Sequence, residues 1–198
     1  LEDALLALAN HASSQIDADA LCLAGGVALN SVANHRLAAD GPFDHLWVQP
    51  AAGDAGAALG AALWAWHCVL GHPRTTPMDR FDLGPAYGRG AIADLLVDLR
   101  LPTEDLHDDQ VATRAAQDLA DGNVLGWFDG RAEFGPRALG HRSILADPRS
   151  LEMKERVNAR IKFREPFRPF APSFLAEHID DWVTTPAPAA LPVRFMLA

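Results

Sequence analysis

The sequence predicts an α/β fold. Two short apolar runs, ALCLAGG (residues 20–26) and HLWVQP (residues 45–50), read as buried strands bounded by turn residues. Each leads into a stretch with helical spacing, VALNSVANHRLAAD and GDAGAALGAALWAWHCVLG. The chain has 198 residues, 49% hydrophobic and 22% charged, enough to bury a core as one large domain or two small ones.

In order, residues 1–15 read as an amphipathic helix, 20–26 as a strand running into a glycine pair, 27–40 as a helix and 45–50 as a second strand. The glycine-rich turn at 53 opens an Ala-rich helix to 71, whose small residues suit close helix–sheet packing. Residues 73–83, rich in Pro, Thr and charge, are the linker candidate. Helices follow near 90–99 and 108–121, then a buried strand at 123–128 and a DGR turn. Ser150 as N-cap with Glu152 in the first turn predicts a helix over 150–163. REPFRPFAPSF (164–174) carries Pro166, Pro169 and Pro172 and must be extended or looped. PAPAALP (186–192) is a loop, and the apolar end PVRFMLA reads as a strand with an unpaired edge. No internal repeat is visible.

No run of about 18 apolar residues offers a membrane span, and LEDALLALANHASS lacks the basic region of a signal peptide. Residue 1 is not Met, the chain starts within a helical pattern and ends in an apolar run, so both ends read as internal to a longer polypeptide. Cys22 and Cys68 show no motif spacing and are expected to be buried, reduced thiols of a cytoplasmic protein.

The net charge of −9 is uneven. Residues 131–168 hold ten Lys/Arg against five Asp/Glu, a net of +5, and the rest hold seven against twenty-one, a net of −14. The acidic balance argues against nucleic acid as a partner. The local basic segment points to a pocket for a small anion, or to a solvated basic face. Arg131, Arg137, His141 and Arg142 stand among Gly130, Gly135, Pro136 and Gly140, and Lys162, Arg164 and Arg168 lie on the proline-stiffened segment. Guanidinium groups take phosphate oxygens bidentately and keep their charge at working pH. AGGVALN places Gly25 and Gly26 between a strand and a helix, where backbone can approach an anion, with Asn30 one turn on. Asp54, in PAAGDAGAALGAAL, is either a helix cap or a metal or nucleotide ligand. None of the eight histidines has metal-ligand spacing.

AGGVALNSVANHRL, PAAGDAGAALGAAL, FDGRAEFGPRALGHRSILADPR and VNARIKFREPFRPFAPS together resemble the motifs of the O-carbamoyltransferases, which include nodulation-factor and tobramycin- and cephamycin-type carbamoyltransferases. The resemblance implies the end of an actin/sugar-kinase-like domain, similar to the tRNA threonylcarbamoyl-transfer protein, over 1–72. Over 84–198 it implies part of a threonylcarbamoyl-AMP-synthase-like α/β domain. The activity implied is formation of carbamoyl adenylate from carbamoyl phosphate and ATP with loss of pyrophosphate, then carbamoyl transfer to a hydroxyl of a small-molecule acceptor. The cofactors implied are ATP, iron(II) or a similar divalent metal, and Mg. By resemblance Gly25, Gly26, Val27 and Asn30 contact nucleotide and Asp54 ligates the metal. Lys162, Arg164 and Arg168 bind carbamoyl phosphate and ATP phosphates, with Arg137 and Arg142 supporting them.

The family's His-x-x-x-His metal pair lies upstream and is missing from this sequence; His67 and His72 are five apart, on the wrong side of Asp54. The chain alone is therefore expected to hold metal poorly and to transfer no carbamoyl group. Competing expectations are a non-catalytic nucleotide- or phosphate-binding fragment, and carbamoyl adenylate chemistry serving hydrogenase maturation or tRNA modification, which the lack of zinc-finger cysteines disfavours. No membrane partner is expected, and a homodimer stays open.

Overall fold

The computed structural model describes residues 1–74, 78 and 80–198. The other four fall within 73–83, so that part of the expected linker lies outside the described residues. The chain forms two compact units. One gathers Leu1–Phe81, Phe134–Arg137 and Phe174–Ala198, and the other Asp82–Glu133 and Ala138–Ser173.

The first unit opens with helix α1 (Glu2–Gln15), whose first turn carries Glu2 and Asp3, the charge favoured at a helix N-terminus. Strand β1 (Ala20–Leu23) pairs in parallel with β2 (His45–Val48), in the register Ala20↔His45 to Leu23↔Val48. Between them lies helix α2 (Ser31–Asp40). Ala9, Leu37 and Phe43 form a buried cluster, with Leu5, Leu6, Leu21 and Leu23 against it. Arg36 of α2 ties α1 down through Asp3 at 2.6 Å. Helix α3 (Asp54–Trp64) continues into a π-helical turn at Ala65–Val69.

The C-terminal segment closes this unit. Leu197 is fully buried, its carbonyl accepting from Asn34 Nδ2 at 2.7 Å, and the Phe195 ring meets Phe81 edge-on at 5.0 Å. The expected C-terminal strand is absent: Ala190–Val193 is a helical turn and no strand follows it among the described residues. An apolar run that short does not distinguish strand from buried turn. Two further expectations are corrected. β1 alternates exposed and half-buried residues, so Cys22 is exposed rather than buried, and Cys68 is exposed too. α3 has no buried residue, so its alanines are not buried against the sheet; its close approach is at Gly56, where a Cβ would run into the Ala51 carbonyl.

The second unit holds helices α4 (Arg89–Asp98) and α5 (Asp108–Ala120), the antiparallel pair β3 (Leu125–Phe128) and β4 (Arg142–Leu145), and helix α6 (Leu151–Val157) ending in a π-helical turn at Asn158–Lys162. Ser150 is the N-cap of α6, as expected, although its hydroxyl turns to Glu152 instead of the backbone. Its described buried residues are Met153, Val157 and Asn158 alone. Irregular backbone makes up most of the rest, and side-chain hydrogen bonds hold it.

Candidate functional site

In the first unit three motifs converge. Gly25, at φ +99°, bonds through its N–H to the Ala52 carbonyl at 2.7 Å, tying AGGVALN to PAAGD. Gly26 and Val27 open a single 3₁₀ turn, Gly26–Leu29. Asn30 lies at the N-cap of α2, not one turn inside it, and its Oδ1 accepts from Ala33 N–H at 3.1 Å. Asp54 begins α3 without capping it; Gly53 takes the cap position.

The middle of the arginine stretch joins them. Gly135 sits at φ +144°, and a Cβ there would stand 3.0 Å from the Pro50 carbonyl, so only glycine permits the approach. Arg137 Nη2 then donates to the Leu29 carbonyl at 3.1 Å, while its buried Nε has no partner. Asn34 Oδ1 and Gln49 Oε1 are also buried without partners. The structure thus brings Gly25, Gly26, Val27, Asn30, Asp54 and Arg137 into one unit.

Arg142, Lys162, Arg164 and Arg168 belong to the other unit, in two networks. The first is built on Glu133, one of only two acids in residues 130–149. Its Oε1 accepts from the N–H groups of Leu139, His141 and Arg142 at 2.6, 2.8 and 3.3 Å. Burial pushes this carboxyl up, but those N–H groups and its own outweigh burial and hold it below the ordinary range. Arg142 donates to the carbonyls of Asp129, His141, Gly130 and Pro85 and covers the Phe128 ring at 3.5 Å. Arg131 donates to the carbonyls of Asp82 and Leu83. These two cations are committed to backbone carbonyls, of which His141 and Pro85 also accept from the Asp129 and Ala132 N–H groups.

The second network is built on Asn158. Its Nδ2 donates to the carbonyls of Arg168 at 3.1 Å and Pro166 at 3.4 Å, and its Oδ1 accepts from Arg164 Nε at 2.8 Å. Arg164 also reaches the Pro169 carbonyl and lies over the Phe170 ring at 4.6 Å. Among the described residues Arg168 meets only the exposed Glu165, at 2.9 Å, through its guanidinium. Lys162 has no polar partner among the described residues, and neither do Lys154 and Arg160.

A cavity of about 340 Å³ lies in the same unit, with Tyr87, Arg89, Asp108, Phe128 and Asp129 on its walls. Arg89 there pairs with Asp105 and Asp108. Among the described residues no three His, Cys, Asp or Glu side chains gather to hold a metal. Asp54 offers one exposed carboxylate, and the residues present do not fit an iron site.

Two family models match the chain: the carbamoyltransferase N-terminus over residues 1–63 and the carbamoyltransferase C-terminus over residues 116–198. The chain belongs to the carbamoyltransferase family. It is 46% identical over 194 residues to an uncharacterized protein, sll1178, of Synechocystis, covering 95% of this chain and 32% of that protein. It is 48% identical over 170 residues to the nodulation protein NolO of Bradyrhizobium diazoefficiens, covering 84% and 30%. It is 45% identical over 190 residues to the nodulation protein NolNO of Sinorhizobium fredii, covering 94% and 28%. The chain spans about a third of the length of these relatives. No helix among the described residues is long and apolar enough to cross a membrane.

Sequence reasoning missed Glu133 and Asn158. Both had a signal. Glu133 is an acid in a cation-rich loop, and Asn158 is an amide directly after α6, next to its buried Met153 and Val157.

Proposed function

We propose that this chain serves ATP-dependent transfer of a carbamoyl group to a hydroxyl of a small molecule, with carbamoyl phosphate as donor and carbamoyl adenylate as intermediate. Carbamoyl phosphate loses phosphate to water, the carbamate oxygen then takes the α-phosphate of ATP as pyrophosphate departs, and the acceptor hydroxyl, giving up its proton, attacks the carbamoyl carbon as AMP leaves. Lys162 and Arg168 bind the donor's phosphate in this reading. Arg137, with Gly25, Gly26, Val27 and the N-terminal end of α2, offers donors to a nucleotide. No step is routed through Asp54 or a metal.

The observation that carries the reading lies in the segment matched by the carbamoyltransferase C-terminus model. Among the described residues Lys162, like Lys154 and Arg160, has no polar partner, and Arg168 pairs only with an exposed one. Lys162 and Arg168 are the two of these that flank Arg164 in VNARIKFREPFRPFAPS, and an anion displaces little on binding there.

The test is calorimetric titration of carbamoyl phosphate into the protein. Lys162→Ala and Arg168→Ala should each weaken binding about ten- to hundredfold, since a hydrogen bond to a charged group contributes about 1.5–3 kcal/mol. Unchanged affinity in both variants would remove the two residues from the site.

A further inference from the structure

We propose that Asn158 is the positioning residue of the Lys162–Arg168 segment, and that Arg164 belongs to this scaffold instead of touching the anion. The inference rests on the assignment of Lys162 and Arg168 to carbamoyl phosphate.

The segment needs an external scaffold. Residues 164–175 are neither helix nor strand, and Pro166, Pro169 and Pro172 supply no N–H groups. The chain turns at Phe163 through a left-handed conformation, φ +48°, which a bulky residue adopts only under constraint. The constraint is visible. Asn158 is 1% exposed and its side chain makes three hydrogen bonds, to two carbonyls and one guanidinium. Its own carbonyl accepts from Arg164 N–H at 3.1 Å. Both ends of the five-residue stretch 164–168 are therefore fixed to one side chain.

Only an amide of this length satisfies that set. It must donate twice and accept once from the same terminus, which Asp, Leu or Ser cannot do. The π-helical turn Asn158–Lys162 has a reason here: it carries Lys162 to the end of a helix whose first residue, Asn158, is anchored in the loop that follows. Arg164 spends Nε and Nη2 on Asn158 and the Pro169 carbonyl, with its face on Phe170. Those bonds occupy the Nε/Nη2 edge of the guanidinium, one of the two forks that a phosphate could take. Lys162 and Arg168 flank it and are exposed, Lys162 with no polar partner and Arg168 paired with the exposed Glu165 among the described residues. The clamp thus sorts three cations of one motif into one structural and two ligand-facing residues.

The test is a set of carbamoyl phosphate titrations on the whole chain. Asn158→Ala and Asn158→Asp should each weaken binding about tenfold or more, because misplacing a binding group by an ångström is enough. Asn158→Asp keeps the shape and the acceptor but loses both donors, so it decides the matter should the alanine variant not fold. In the Arg168→Ala background the Asn158 substitution should cost much less, since the group it positions is gone. Wild-type affinity in Asn158→Asp overturns the proposal, and so does an equal loss in the presence and absence of Arg168. Unchanged affinity in Lys162→Ala and Arg168→Ala, by contrast, contradicts the anion assignment itself. Arg164→Lys, which keeps the charge but not the fork, should behave like the Asn158 variants; wild-type affinity there would return Arg164 to no role in the clamp.

Discussion

Glu133 and Arg142 are the residues on which the arginine loop depends. One carboxylate oxygen gathers three N–H groups and one guanidinium gathers four carbonyls, nearly all of them in the irregular backbone that flanks the β3–β4 pair. Bonds to a charged acceptor are roughly twice as strong as neutral ones, so Glu133→Gln should destabilise the second unit by about 1–2 kcal/mol. The pH dependence has a definite sign. A carboxyl held low in the folded state stabilises above its unfolded pKa, and that contribution is lost as pH falls through the lowered folded value. Melting temperatures of wild type and Glu133→Gln should therefore differ most near neutrality and converge in acid. A gap that stays constant from pH 7 to pH 3 would show that the carboxylate charge is not what holds the loop.

At the scale of elements, two substitutions probe how the glycine motif is built. Asn30→Ala removes the only side-chain cap of α2 and should cost about 1 kcal/mol, read as a lowered denaturation midpoint. Gly135→Ala places a Cβ against the Pro50 carbonyl in a conformation that disfavours side chains, and should cost more than Asn30→Ala. Equal stability of wild type and Gly135→Ala would deny the close approach. The regular elements were legible in the sequence to within a few residues, because α1, α2, α5 and the strands β1, β2 and β3 have a clear period or apolar run. β4 was not, since RSIL lies inside a stretch dominated by glycine and charge and gives four residues of weak pattern. The site was half legible. Residue type singled out Lys162, Arg137 and Arg168 as candidates, but not which cations, Arg137 among them, would be consumed by carbonyls, because the demand for donors comes largely from irregular backbone that has no sequence period. Asn158 and Glu133 satisfy that same demand.

Across the whole molecule the two units differ in how they are held. The first buries a cluster on α1 and α2, the inner residues of β2 and the C-terminal Phe195 and Leu197. The second buries Met153, Val157 and Asn158 and depends otherwise on polar links. Few buried apolar contacts mean low local stability. Amide exchange should therefore be slowest in α2 and β2 and markedly faster in α4, α5 and β3. Equal protection in both would contradict this division. In the basic stretch Arg131, Arg137, Arg142, Arg156 and Arg164 donate to backbone carbonyls, and the proposal is that Lys162 and Arg168 take the anion. The direct measurement is paired: carbamoyl phosphate affinity and thermal stability in Lys162→Ala and Arg168→Ala, beside Arg131→Ala and Arg142→Ala. The first pair should lose affinity about ten- to hundredfold with little change in melting temperature. The second pair should melt earlier, and where folded should keep affinity within a few fold. Loss of affinity confined to Arg131→Ala and Arg142→Ala, with Lys162→Ala and Arg168→Ala binding as wild type, would contradict the account.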